Sequence, residues 1–305
     1  MLHKGVLWNQ KLSVDGKYRM GATYGGQIRT SNDYGVTWIA RDSNRNWSGG
    51  YAISSSGQYQ LSGVEGGYIY VSSDYGVNWV QRGISSTWEN GGMSWSGQFM
   101  LVATYNNNAM YYSNDYGVTW ASFGRSGYVQ TDGLYVDGSG QCIIYGDWGR
   151  PVYFSLNQGS SWTTTTINSG VGDWRAATCN YGGQYMIAGI HSGALYVSSN
   201  YGVNWATKIG TGVWIAASIS YTGQYQIAAN SGGYLYVSSD YGVNWTQKSI
   251  STGWNGVQVS ASGKYQTGYS ASTGAGTYIS DDYGVTWAQA SADARFYGGA
   301  MNQSL

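Results

Sequence analysis

The chain has 305 residues, a formal net charge of zero at pH 7 and only 10% charged residues, against about 25% in ordinary soluble domains. A neutral chain offers no general electrostatic attraction for nucleic acid or an anionic membrane, so we expect neither as a partner. Aromatic residues make up 16% of the chain, and the area that they can bury excludes a disordered polypeptide.

The predicted elements follow a repeat that runs through the whole chain. Its mark is the pattern Ser-x-Asp-x-Gly-x-x-Trp, clearest at residues 238–245. The repeats are about 42 residues long, which is the length of a four-stranded propeller blade. We therefore predict one all-β domain over residues 1–305, a seven-bladed β-propeller of four-stranded antiparallel blades. The tryptophans that mark the repeats are Trp38, Trp79, Trp120, Trp162, Trp205, Trp245 and Trp287.

Short segments between Gly, Ser, Asn and Asp turns are the predicted strands, named A to D within a blade. Residues 6–13 could also form a strand A, before the turn at residues 15–18. The last repeat shows the plan most clearly, with strand D starting at Trp245 and strands A, B and C at residues 256–260, 265–269 and 277–280. Residues 296–301 match 254–259 in spacing, so we predict that this C-terminal strand pairs into the first blade. Closure would remove the exposed edges of an open ring.

The acidic position of the pattern is predicted to be structural. A carboxylate there accepts hydrogen bonds from backbone N–H groups of its own turn, and the glycine of the pattern permits a positive φ. Two repeats carry asparagine, which keeps the acceptor oxygen but lacks the charge that a metal ion or an acid catalyst needs. We expect no metal site at these positions, which are Asp33, Asp74, Asp115, Asn157, Asn200, Asp240 and Asp282.

The pattern resembles the Asp box, or BNR repeat, of sialidase-type β-propellers, and the resemblance covers essentially the whole chain. Many Asp-box proteins are glycoside hydrolases, which need two positioned carboxylates. Glu65 and Glu89 are the only glutamates here, and the single proline follows Arg150 instead of forming the Arg-Ile-Pro motif of sialidases. We therefore expect no enzyme, no catalytic residue and no cofactor, with a weak glycosidase as a less favoured alternative.

A ligand site is predicted at the end of the blades that carries the variable D–A and B–C loops, since function concentrates where loops vary on a rigid frame. One aromatic residue begins strand A in each repeat, and its ring could support a sugar; packing in the core would explain the same residues. These residues are Trp47, Trp88, Tyr128, Trp174, Trp214, Trp254 and Phe296. Polar candidates from the B–C loops are Glu65, Asn106, Asp147, His191 and Asn230.

Two binding functions compete. Several equivalent sites would give avidity for repeated glycans or glycoconjugates, as in the seven-bladed lectin propellers that the chain resembles. The alternative is a protein-interaction scaffold, similar to the Asp-box propellers that assist photosystem assembly. A scaffold should present one asymmetric patch, and residues 147–150 and 173–175 break the repeat with charged side chains.

The remaining residues give weaker signals. Cys142 and Cys179 occupy non-equivalent positions in different repeats, so we expect two reduced, partly buried thiols. His3 and His191 have no partners at metal-ligand spacing. No apolar run reaches the length of a membrane span, and no signal peptide is recognisable. We expect a cytoplasmic location or assembly into a virion or phage particle.

Overall fold

The computed structural model describes residues 8–105, 109–126, 129–270 and 276–289, with side chains described except at residues 8–10, 125–126 and 129–132. The chain divides into two compact units. The first extends through Val129 and includes the turn Gly138–Gly140; the second comprises Gln130–Asp137 and the chain from Gln141 onward. Within each sheet of both units, strands that follow each other in the chain are hydrogen-bonded neighbours. This up-and-down order is that of propeller blades.

The first unit contains repeats one to three. They form a seven-stranded sheet in the order β1 to β7 and a four-stranded sheet, β8 to β11. The long strand β4 is strand D of repeat one, paired with β3, and continues as strand A of repeat two, paired with β5. The strands are β1 (Trp8–Leu12), β2 (Arg19–Ala22), β3 (Tyr24–Ser31), β4 (Ile39–Ile53), β5 (Gln60–Val64), β6 (Gly67–Ser72), β7 (Val80–Ser86), β8 (Trp88–Met93), β9 (Met100–Thr104), β10 (Ala109–Ser113) and β11 (Ala121–Ser126).

The second unit contains repeats four to seven in sheets of four, six and four strands. Its strands are β12 (Val129–Val136), β13 (Ile143–Asp147), β14 (Tyr153–Ser155), β15 (Thr163–Thr164), β16 (Trp174–Cys179), β17 (Met186–Ser198), β18 (Ala206–Ile219), β19 (Gln226–Asn230), β20 (Gly233–Ser238), β21 (Thr246–Thr252), β22 (Trp254–Val259), β23 (Gln266–Ser270), β24 (Thr277–Ser280) and β25 (Ala288–Gln289). Within the described residues the one helical element is a 3-10 turn, Ile167–Gly170. No helix of that part of the chain has the length and apolar character required to cross a membrane.

The strand positions agree closely with the sequence prediction. In the last repeat strand C has the predicted bounds, and strands A, B and D begin within about two residues of the predicted positions, the usual uncertainty of a strand end. In the first repeat the chain start supplies strand A, as the sequence allowed. Its β2 pairs with β1 on one edge and β3 on the other, so no edge of β2 is left for a C-terminal strand. The predicted closing strand itself, residues 296–301, lies outside the described residues.

Burial decreases from strand B to strand D of a repeat. Strands β9 and β13 are buried along their whole length, whereas the outer strands β7 and β21 are mostly exposed. Strands covered on both faces are apolar throughout, because neither side meets water. The core is therefore a series of layers between sheets. Five clusters of buried side chains each contain one strand-A tryptophan, namely Trp47, Trp88, Trp174, Trp214 or Trp254.

Tyrosine rings connect neighbouring repeats at the end that carries the C–D turns. The tyrosine just before strand B stacks on the tyrosine of the next repeat's C–D turn, with ring centroids 4.5 to 5.1 Å apart. Such aromatic pairs contribute about 0.5–1.5 kcal/mol beyond their buried area. The pairs are Tyr18–Tyr75, Tyr59–Tyr116, Tyr185–Tyr241 and Tyr225–Tyr283.

Repeat four uses a disulfide in place of this stack. Cys142 occupies the position of the stacking tyrosine and is bonded to Cys179 at the end of β16 in repeat five. Both side chains are fully buried. The expectation of two reduced, partly buried thiols is therefore wrong. The sequence spacing gave no sign of the bond, because only the packing of adjacent repeats brings the two positions together.

We predict that the disulfide stabilises the junction of repeats four and five. Replacing both cysteines with alanine should lower the free energy of unfolding by about 2–4 kcal/mol, as expected for a loop of this size. Urea denaturation with and without a thiol reductant measures the effect. The double variant should be insensitive to reductant; an unchanged wild-type midpoint after complete reduction would show that the bond contributes nothing.

Candidate functional site

The strand-A tryptophans are packed between repeats. Trp47, Trp88, Trp174, Trp214 and Trp254 are at most 2% exposed. Each ring meets the strand-C tyrosine of its own repeat, usually edge to face, with centroids 5.3 to 6.0 Å apart. No ring face is left for a sugar, so the proposed platform role does not fit these five residues. Tyr128 and Phe296, the other two members of the set, lie outside the described residues.

Three of these indoles also bond to the repeat before them. Nε1 of Trp88, Trp174 and Trp214 donates to the carbonyl oxygens of Gly67, Arg150 and Gly193, at 2.8 to 3.0 Å. Each acceptor lies after strand B of the preceding repeat. A buried N–H requires such an acceptor. The tryptophans therefore fix the B–C loops instead of binding a ligand beside them.

Glycines in strand B make this packing possible. A Cβ added to Gly63, Gly146 or Gly189 would lie 2.4 to 2.7 Å from the Cβ of the tryptophan in the next repeat. No side chain could stand that close, so glycine is needed at these positions. The glycine that recurs in the otherwise apolar strand B is the sequence signal for a buried tryptophan. The prediction of a sugar-binding ring overlooked it.

The polar candidates have different surroundings. The Asn230 Oδ1 accepts a hydrogen bond from the Val213 N–H at 2.8 Å and so holds the loop before Trp214. Glu65 is exposed, and a hydrogen bond with it raises the pKa of the neighbouring Tyr24. Asn106 lies outside the described residues. Only Asp147 and His191 are brought into one region of the surface.

That region joins the B–C loops of repeats four and five to the segment before β16. Trp148 pairs with Asp173 through the backbone, and the Gly149 N–H donates to the Gly172 oxygen at 2.8 Å. The His191 N–H donates to the Asp173 oxygen at 2.8 Å. We call the surface formed by Trp148, Arg150, Asp173, Arg175 and His191, together with the buried Asp147 beneath it, the Trp148 patch.

Ion pairs order the Trp148 patch. The Arg175 guanidinium binds Asp173, with Nη2 3.0 Å from Oδ2, and His191 Nδ1 lies 3.7 Å from the same oxygen. Arg150 Nε is 3.6 Å from Oδ2 of the buried Asp147. Arg150 remains largely exposed, and the Trp148 side chain is 67% exposed. Among the side chains that are described, no other tryptophan is exposed to more than about a third.

The seven box residues accept hydrogen bonds within their own turns. The serine two residues earlier donates to Oδ1, and the backbone N–H four residues later donates to the same side chain at 2.8 or 2.9 Å. Asn157 and Asn200 keep both contacts through the amide oxygen. Hydrogen bonds from Thr286 hold the pKa of Asp282 at about 2. Within the described residues no cluster of His, Cys, Asp and Glu could hold a metal ion.

Comparison with a family model identifies the repeat. The family described as BNR-Asp box repeat matches residues 69–81 and 235–248, each of which contains a complete box. The chain is an Asp-box repeat protein. No curated protein matches its sequence.

Solved structures show that the fold of this Asp-box protein is an all-β propeller. YCF48 from Cyanidioschyzon merolae is 16% identical, with a TM-score of 0.62 over 92% of this chain and 96% of its own. YCF48 bound to D1 peptide is 13% identical, with a TM-score of 0.64 over 90% and 93%. The Myceliophteria thermophila Cps50 (Swd1) β-propeller domain is 11% identical, with a TM-score of 0.61 over 92% and 96%. At such identities the likeness concerns the fold alone.

We predict that replacing a buried tryptophan of the Asp-box protein lowers its free energy of unfolding far more than replacing an exposed one. Trp214→Ala should lower the free energy of unfolding by about 3–5 kcal/mol, because it leaves a cavity between repeats five and six. Trp148→Ala should change it by less than about 0.5 kcal/mol. Chemical denaturation of both variants provides the comparison, and equal losses would contradict the assignment of Trp214 to the core.

Proposed function

We propose that the protein is a non-catalytic interaction propeller that binds a protein partner through the Trp148 patch. One observation carries the proposal: the exposed Trp148 ring lies among arginines in a chain with only 10% charged residues. Tryptophan and arginine dominate the residues that contribute most to binding at protein interfaces. Within the described residues the patch has no counterpart in another repeat, as a specific scaffold requires.

The patch is ordered before a partner arrives. Trp174 holds the loop after Trp148 through its hydrogen bond to the Arg150 oxygen. The two hydrogen bonds between Arg175 and Asp173, at 3.0 and 3.2 Å, hold the guanidinium in place. A surface whose side chains are already ordered loses less entropy when it binds. Arg150 is the more exposed of the two arginines, with its side chain 54% exposed against 35% for Arg175.

The comparisons support a protein partner more than a glycan. One similar structure is YCF48 bound to D1 peptide, and another is the Mitotic Checkpoint Complex, with a TM-score of 0.68 at 11% identity. The lectin hypothesis placed sugars on the strand-A aromatic rings, and all five of those described are buried. A glycosidase is also disfavoured, because Asp147 and Asp173 are both in ion pairs with arginine.

Binding of displayed peptides tests the proposal. Random-sequence peptides on phage are selected against the wild-type protein, which should enrich a related set. The double variant Trp148→Ala, Arg150→Ala should bind the enriched peptides at least about 30-fold more weakly, corresponding to the loss of about 2 kcal/mol expected for one central contact residue.

Tyr34→Ala is the control for this experiment, because Tyr34 is an equally exposed aromatic residue in repeat one. It should bind the peptides as the wild type does. Failure to enrich any peptides, or equal affinity of the double variant, would contradict a protein-binding role for the patch.

We further propose that residues 1–305 form one seven-bladed ring in which the N-terminal segment supplies the first strand A. In support, every tryptophan-marked repeat contributes four strands, and β1 occupies the edge of β2 that the C-terminal strand was expected to fill. One edge of β2 pairs with β1 and the other pairs with β3, so repeat one has a place for only one strand A.

Paired deletions distinguish the two closing strands. Removing residues 1–12 should lower the melting temperature more than removing residues 290–305, because it uncovers Met20 and Ala22 of β2, both fully buried. Calorimetry of the two proteins measures the difference. A larger effect of the C-terminal deletion would support closure by residues 296–301 instead.

A further inference from the structure

The disulfide and the Trp148 patch lie at opposite ends of the same two strands. Cys142 directly precedes β13, and the other end of β13 carries Asp147. Cys179 is the last residue of β16, and Trp174 is its first. A strand rises about 3.3 Å per residue, so about 16 Å of each strand separates the bond from the patch. The bond therefore fixes one end of each strand, and the patch is built on the other.

Close packing joins these two ends. Cys142, Cys179 and Trp174 belong to one cluster of buried side chains. A Cβ added to Gly146 of β13 would lie 2.4 Å from the Trp174 Cβ, so the two strands touch at the patch end without a side chain between them. Trp174 in turn donates to the Arg150 oxygen. A displacement of one strand therefore reaches the patch, because a densely packed interior has little free volume to absorb it.

The junction of repeats four and five lacks the tyrosine stack found at other junctions. Cys142 stands where a tyrosine would stack on Tyr201, the tyrosine of the repeat-five box. Tyr201 is 48% exposed, whereas the box tyrosines that stack on the preceding repeat are 39 to 42% exposed, namely Tyr75, Tyr116, Tyr241 and Tyr283. The disulfide thus takes over a contact that aromatic rings make elsewhere.

A second link across this junction does not depend on the sulfurs. The buried Asp137 carboxylate accepts the Cys142 N–H at 2.9 Å and the Gly182 N–H of repeat five at 2.8 Å. Hydrogen bonds to a charged acceptor are stronger than those between neutral groups. Breaking the disulfide should therefore loosen the junction without separating the two repeats.

We propose that the disulfide is a redox clamp that keeps the Trp148 patch ordered, so that its reduction weakens the binding of a partner there. The second part rests on the protein-binding role proposed above. In the reaction a dithiol supplies two electrons and two protons. The Sγ–Sγ bond breaks, and two thiols and the cyclic disulfide of the reductant form.

The clamp and the partner act on each other. Both sulfurs are fully buried, so a dithiol reaches them when the junction opens. A partner that spans the loops of repeats four and five holds the junction closed. If reduction weakens partner binding by some factor, the bound partner must therefore disfavour reduction by the same factor.

Amide hydrogen exchange tests the clamp without a partner. The Gly149 N–H donates to the Gly172 oxygen across the junction at 2.8 Å. After complete reduction by dithiothreitol, exchange of this N–H should become about fivefold faster or more, in the usual range of coupling between sites. The matched control is the Gly232 N–H, which donates to the Thr252 oxygen at 3.2 Å across the junction of repeats six and seven. Its exchange should not change, because a tyrosine stack holds that junction.

The selected peptides test the control of binding. Their affinity should fall about fivefold or more when the protein is reduced, and saturating peptide should shift the equilibrium with dithiothreitol toward the disulfide by the same factor. Titration of oxidised and reduced protein measures the first effect. The fraction of free thiol at fixed dithiothreitol, with and without peptide, measures the second.

A variant that restores the tyrosine stack separates the clamp from the reductant. The double variant Cys142→Tyr, Cys179→Val introduces the residues that repeat seven has at these positions. Gly183 keeps the space that the equivalent glycines of other repeats leave for a tyrosine ring. Exchange at Gly149 should be slow in this variant both with and without dithiothreitol, with a melting curve verifying that it folds.

The outcomes separate this proposal from the protein-binding role. Unchanged exchange at Gly149 after complete reduction would overturn the clamp, as would equal acceleration at Gly149 and Gly232, which would show a general loosening. Equal peptide affinity of the oxidised and reduced protein would overturn the control of binding. Failure to enrich any peptide would contradict the protein-binding role alone, because exchange at Gly149 decides the clamp without a partner.

Discussion

The interaction on which the structure depends is the insertion of one indole ring between adjacent repeats, which is described at five junctions within the two units. A strand-A tryptophan packs on the tyrosine of its own repeat and against the backbone of the repeat before it, where glycine leaves the necessary space. Three of the rings also donate a hydrogen bond across the junction. Because sheet packs against sheet within each unit, this packing supplies the core that a single repeat cannot form.

The same packing decides where binding can occur. The five described strand-A tryptophans, which look suitable for a ligand in the sequence, are buried between repeats and are not available to one. At the variable loops the repeat is broken once, where Asp147, Trp148 and Arg150 follow β13. The hydrogen bond from Trp174 to the Arg150 oxygen connects that exposed loop to the core. A structural contact found in other repeats thus orders the one asymmetric surface.

Charge is scarce in this chain, and its placement is correspondingly informative. The box aspartates keep low pKa values through hydrogen bonds in their own turns, as Asp282 does through Thr286. Asparagine suffices for those turns, as Asn157 and Asn200 show. The amide oxygen therefore meets the needs of the turn, and at Asp282 the carboxylate in addition opposes the lowering of the Lys248 pKa that burial causes.

The sequence by itself determined the local and periodic features: the repeat length, the strand plan, the capped turn and the all-β propeller class. These follow from turn chemistry and spacing, which act over a few residues. Only the tertiary structure decided which aromatic rings are buried, that Cys142 reaches Cys179, and that Asp147, Asp173 and His191 share one surface. Those relations join residues of different repeats, and the distance between such residues is set by how sheets pack, which no local pattern encodes.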